Sequence, residues 1–194
     1  AGCAVFALDY RLAPEHAYPA ALDDAEGAFH ALAGEFDEVV VGGDSAGGGL
    51  AVALAIRLHA AGGRTPAALG LISPWTDLAG EHGVIERDDM LKRTWSDACA
   101  AAYAGDRPVA ELVPAVDDLS GLPPTIIHVG DKEMLRPDSE WLAEGLRSAG
   151  VPVELRVIPD MWHIWHLHAG LFAEATDAAR TLGRELSGTK GSLT

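Results

Sequence analysis

The sequence predicts an α/β domain: a mostly parallel sheet flanked by helices. Three observations carry that expectation. Short apolar runs rich in β-branched residues recur at residues 39–41, 67–72, 125–129 and 153–157. Segments with apolar residues at helical spacing separate them, the pattern of strand, crossover helix and parallel strand. The loops after these strands hold a serine, a pair of acids and a histidine cluster, as expected where a parallel sheet gathers reactive groups beyond its carboxyl ends.

Residues 4–8 (AVFAL) form a further short apolar run, read as a first buried strand ending in the polar turn DYRLAPEHAYP. Pro19 suits the first turn of a helix, where its missing N–H costs nothing. Leu22, Ala25, Phe29 and Leu32 then follow at helical spacing, with Gly34 placed to close that helix. After the strand at 39–41, Leu50, Leu54 and Leu58 mark one helix face. Residues 51–56 are apolar all round, so this helix should be deeply buried.

From Ser73 to Leu122 the pattern loses its period, apart from a short helix expected at 95–103. So long an insertion in a compact domain suggests a lid, placed at about 74–119 within a single domain. A strand at 125–129, a helix at 139–149 and an alternating strand at 153–157, near a sheet edge, follow. A final amphipathic helix begins near Leu171, and SGTKGSLT reads as a frayed tail.

Composition narrows the function classes. The net charge is −15, from 29 acidic and 14 basic residues, and no basic stripe offsets it, which argues against nucleic acid and anionic membranes. No uninterrupted apolar run reaches the roughly 18 residues of a membrane span. The first residues lack the basic start of a signal peptide, and Cys3 and Cys99 have no metal or redox spacing. A cytoplasmic protein with reduced thiols and no cofactor is expected.

The chemistry centres on VVVGGDSAGGGLAVALAIRL. Gly43-Asp44-Ser45-Ala46-Gly47 is a G-x-S-x-G sequence between an apolar strand and a buried helix, the context of a nucleophile elbow. In so tight a turn, side chains two residues either side of the serine would collide, which accounts for Gly43 and Gly47. Gly48 and Gly49 would allow close helix packing. The Ala46 N–H and the helix dipole favour a developing oxyanion. No lysine follows in phosphate-loop position.

Such a serine needs a base, and the base an orienting acid. His163 lies in the loop after the last strand, in the chain order Ser, acid, His. Asp131 and Glu133 in GDKEMLRPDSE are the candidate acids, and periodicity does not choose between them. Asp138 falls in a first helical turn, where an acid complements the dipole. His166 and His168 complete H-x-x-H-x-H, but no cysteine or carboxylate set accompanies them, so packing against Trp162 and Trp165 is expected rather than a metal.

Six stretches in order (DYRLAPEHAYPAALDD, GGDSAGGGLA, SPWTDL, DLSGLPPT, AGVPVEL and DMWHIW) resemble the hormone-sensitive lipase-like serine esterases, bacterial family IV of the lipolytic enzymes. The resemblance spans most of residues 4–175. It implies an α/β-hydrolase fold with a helical cap and hydrolysis of small acyl esters. It also implies Ser45 as nucleophile, His163 as general base and Ala46 N–H as an oxyanion donor. The family's acid precedes the histidine by 30 residues, which falls on Glu133, with Asp131 as the alternative. Trp75 and Trp95 would wall the pocket.

The resemblance further implies an H-G-G-G segment before YRLAPE, whose amides supply most of the oxyanion hole. The sequence contains none. The expectation is therefore an amino-terminally truncated chain that lacks a central strand and part of the cap, and is poorly stable or active alone. Losing an oxyanion donor typically costs a factor of about a hundred to a thousand in rate. Two other functions fit the same residues: an amidase or deacetylase of a small acylated metabolite, and a non-catalytic ligand receptor.

Overall fold

The computed structural model describes residues 2–82 and 88–188. In chain order its elements are α1 (Ala20–Glu35), β1 (Val41–Asp44), α2 (Ala46–Ala60), β2 (Leu69–Ile72), α3 (Arg93–Ala104), β3 (Thr125–Gly130), α4 (Arg136–Ser148), β4 (Val153–Ile158) and α5 (Ala173–Gly188). The strands form one parallel sheet in the order β1-β2-β3-β4. All their carboxyl ends therefore lie on one side, where Asp44, Ile72 and His128 stand in register.

Alternation along the strands sorts the two faces. Leu69, Leu71 and Ile127 point to one face and pack with Ala51, Val52 and Ala55 of α2 and Leu142, Ala143 and Leu146 of α4. Gly70 points the other way, where a Cβ would come 2.5 Å from Leu186 Cδ1, so α5 lies tight on that face. On its far side, α2 meets α1 through Leu54 and Leu58 against Leu22, Ala25 and Phe29. The helix expected to be deeply buried is thus held between sheet and helix. Full burial of a Leu or Phe contributes roughly 1.5–3 kcal/mol, so these two clusters supply much of the folding free energy.

Four expectations need correcting. Residues 4–8 are not a strand: Val5 is 85% and Phe6 61% exposed, and Phe6 rests against Phe36 with ring centroids 5.8 Å apart. A short apolar run cannot supply its own partner, and among the described residues no strand pairs with the free side of β1. The strand expected at 39–41 lies later, because Gly42 and Gly43 continue the ladder opposite Gly70 and Leu71. Helix α1 runs through Gly34 to Glu35, and α5 takes in Ser187 and Gly188; the rest of the expected tail, 189–194, lies outside the described residues.

Between β2 and β3 the described chain is irregular apart from α3 and two 3₁₀ turns, Val109–Leu112 and Val116–Leu119. Asp88 ties this segment to the rest: its carboxylate accepts from Met134 N (2.6 Å) beside Glu133. Residues 83–87 of the expected lid lie outside the described residues. No described helix is long and apolar enough to cross a membrane.

Candidate active site

Ser45 stands between the end of β1 and the start of α2, with φ 52° and ψ −121°. A residue bearing a Cβ adopts that left-handed backbone only when its surroundings enforce it. Here Ser45 N–H donates to Ile72 O (2.9 Å), while Ser45 O accepts from Gly48 N (3.0 Å), Gly49 N (3.2 Å) and Trp75 N (2.9 Å). A Cβ on Gly43 would lie 2.2 Å from Gly47 O, so the elbow closes only around glycine there. At Gly47 itself a Cβ would meet nothing within 4 Å, which corrects the expected symmetry. Gly48 and Gly49 do permit close packing, but of α2 against a loop: their Cβ atoms would come 2.9 Å from Pro74 and 2.1 Å from Trp75 O.

The elbow aims the hydroxyl at the loop after β4. His163 Nε2 lies 2.9 Å from Ser45 Oγ, and His163 Nδ1 lies 2.9 Å from Glu133 Oε2. An ionised carboxylate only accepts, so Nδ1 carries the ring proton and Nε2 is left to accept from the serine. Glu133 is 0% and His163 3% exposed, so the carboxylate end of this chain of bonds is shut off from water.

Asp131 is not part of that chain. Its Oδ1 accepts from Asp160 N (2.8 Å), stapling the loop after β3 to the loop after β4. Those loops meet at Gly130, where a Cβ would stand 2.3 Å from Met161 O. Glu133, the acid that the family spacing picks, is the one the structure brings to His163; Asp131, the alternative, is held elsewhere.

Asp138 lies in the first turn of α4 but serves more than the helix dipole. Its Oδ2 accepts from Thr76 N (2.9 Å) and Asp77 N (2.7 Å). Burial, with the nearby Asp77 charge adding to it, pushes this carboxyl up to about 7 against those two amide bonds. Asp77, His82 and Asp138 place ligand atoms within 4.8 Å of one another. Backbone amides already occupy the carboxylates, since Asp77 accepts from Ala79 N, Gly80 N and His82 N. The group therefore organises a turn.

His166 packs on Trp165 with centroids 4.0 Å apart and shares a 3.1 Å hydrogen bond with His128 Nδ1, while His168 meets Trp162 edge-on at 5.6 Å. Burial lowers both His128 and His166 to about 4, so they are neutral near pH 7, as packing requires. Trp75 lies in the loop that meets Ser45, whereas Trp95 is 59% exposed on α3.

Sequence reasoning missed Ser73, which directly follows β2. Its hydroxyl donates to Glu133 Oε1 (2.8 Å) and accepts from Ile164 N (3.3 Å). The available signal was position: a hydroxyl at the carboxyl end of the strand beside the elbow. An open groove of about 560 Å³ runs from Ser45, Ala46 and Gly47 along the free edge of β1, past Phe6, Tyr10 and Leu50. At its head Ala46 N–H has no hydrogen-bond acceptor among the described residues.

Residues 1–167 match the family described as the alpha/beta hydrolase fold. This chain belongs to that family. Among curated relatives it is 40% identical to an acetyl-hydrolase of Streptomyces hygroscopicus, over 98% of this chain and 67% of the relative. It is 38% identical to the esterase LipU of Mycobacterium tuberculosis, over 96% of this chain and 68% of the relative. A solved hormone-sensitive lipase homologue from a metagenome library superposes with a TM-score of 0.88 at 36% identity, covering 94% of this chain and 66% of that one. An esterase of the bacterial hormone-sensitive lipase family gives 0.86 at 36%, covering 95% and 65%. The resemblance read from the motifs is borne out, and the chain spans about two thirds of the length of these relatives.

Proposed function

We propose that the protein is a serine carboxylesterase acting on small acyl esters through Ser45, His163 and Glu133. The observation that carries this reading is the continuous line of hydrogen bonds from Ser45 Oγ through the His163 ring to Glu133, 2.9 Å at each step. The esterase names of its relatives point the same way.

In the proposed reaction Ser45 Oγ attacks the ester carbonyl carbon while its proton passes to His163 Nε2. Glu133 Oε2 holds the ring by Nδ1 and stabilises the imidazolium that forms. The carbonyl oxygen becomes an oxyanion against Ala46 N–H and the amino end of α2. Collapse breaks the C–O bond to the alcohol, which leaves with the proton from His163. Water then attacks the acyl-serine, giving its proton to His163, and the carboxylic acid departs as that proton returns to Ser45. The groove beside Ser45, lined by residues from 6 to 54, would receive the substrate, and the segment at 74–119 would act beside it as a lid.

Matched ester and amide substrates of short acyl chains test the activity. Ester turnover that falls by roughly 10⁴-fold or more in Ser45→Ala is the expected result. Preferential turnover of the amide would make the protein an amidase, and unchanged ester turnover in Ser45→Ala would remove Ser45 from the chemistry.

A further inference from the structure

Glu133 is a long side chain in a place where a short one would be easier to aim. Its carboxylate is fully enclosed, and Oε2 faces His163. What keeps that oxygen turned to the ring is the hold on the other one. Oε1 accepts from Ser73 Oγ–H (2.8 Å) and from Gly130 N–H (2.5 Å). The Ser73 hydroxyl has a second bond: it accepts from Ile164 N (3.3 Å), the residue after His163. One oxygen therefore touches both the acid and the loop that carries the base.

The backbone makes this arrangement more than convenient. Ser73 and Ile164 are both held at φ 48°, and Ser45 at φ 52°. Among the described residues, the only other non-glycine at positive φ is Asp160. Two of these four, Ser73 and Ile164, are joined by the 3.3 Å hydrogen bond, Ser45 is bonded to the neighbouring His163, and Ser73 is 0% exposed. A glycine would take φ 48° at position 73 without strain. A serine there keeps a hydroxyl at the expense of backbone ease.

We propose that Ser73 is a positioning residue of the active site, its hydroxyl fixing Glu133 and the His163 loop in mutual register. The inference rests on the reading of Ser45, His163 and Glu133 given above. Ser73 touches neither substrate nor reacting atoms and acts through Glu133.

Ser73→Gly is the decisive variant, because it removes the hydroxyl while relaxing the backbone, with Ser73→Ala as its companion. Two readouts are taken on the full chain: the pH course of Ser45 modification by a fluorophosphonate, and the NMR signals of the His163 ring, the latter also in a Ser45→Ala background. Losing a donor to a carboxylate makes the Glu133–His163 pair hold its proton more tightly. The acid limb of the labelling profile should therefore move up by roughly 0.5–1 pH unit, with the plateau about tenfold lower. The His163 ring signals should shift whether or not Ser45 is present.

Ring signals unmoved in Ser73→Gly would overturn the proposal. So would a rate loss equal at every pH that merely follows a lower melting temperature. Failure of the unaltered chain to label at Ser45 would count against the esterase reading instead, since the ring signals report on Ser73 without any reaction.

Discussion

Ser45 and Ser73 follow adjacent strands, both at positive φ, and His163 and Glu133 join them into one hydrogen-bonded set. The sequence identified Ser45 and His163 by type, order and flanking pattern. Residue pattern alone does not choose between Asp131 and Glu133, which share a loop; the spacing implied by the family resemblance picks Glu133, and the folded turn brings that residue to the ring. Exchange at the two sites should therefore differ sharply. Glu133→Gln should lower ester turnover by roughly 10⁴-fold, as loss of an orienting acid does, while Asp131→Asn stays within about twofold. Steady-state rates on one short-chain ester check both, and comparable losses in the two variants would contradict the geometry. Ser73 carries only a positional signal, at the carboxyl end of β2, because its two partners, Glu133 and Ile164, lie in loops distant in sequence.

At the scale of elements, the helices and the strands β2, β3 and β4 were legible from pattern alone, whereas strand partners were not. The run at 4–8 looks like a strand but has no ladder beside it, and β1 extends through glycines that no apolar pattern marks. The glycines of α2 make a sharp stability test. Gly49→Ala would drive a methyl to 2.1 Å from Trp75 O, and overpacking of this kind costs about 1–3 kcal/mol. Gly47→Ala meets open space and should gain up to about 1 kcal/mol from helix propensity. Urea unfolding of both variants reads the contrast, and equal midpoints would refute it.

The Asp138 latch on the loop at 76–77 gives a second element-scale prediction. Its folded carboxyl titrates near 7, above the usual 3.8, so the folded state keeps a proton that the unfolded state releases. Stability from this group is thus present below about 4 and lost as pH rises towards 7. His128 and His166, lowered to about 4, act oppositely, adding stability as pH rises from about 4 to 6.5. Asp138→Asn keeps an acceptor for the two amides and removes the falling contribution. Its urea midpoint should therefore climb more steeply with pH between 4 and 7 than that of the unaltered chain, and parallel curves would argue against a protonated Asp138.

The whole molecule sets a charged surface against an open sheet edge. Among the described residues nothing pairs with the outer side of β1, and Phe6, Leu12 and Val40 lie exposed. Such an edge invites pairing between chains, while a net charge of −15 opposes it at low salt. Light scattering should show association that grows with salt as the repulsion is screened, and Val40→Lys should weaken it. A monomer at every salt concentration would show the edge to be inert. The central claim, that this fold turns Ser45 into a nucleophile, is tested most directly by covalent labelling. A fluorophosphonate, followed by peptide mapping, should modify the chain at Ser45 alone, and modification should vanish in Ser45→Ala and fall steeply in His163→Ala. Label on another residue, or equal labelling of the His163→Ala chain, would contradict the account.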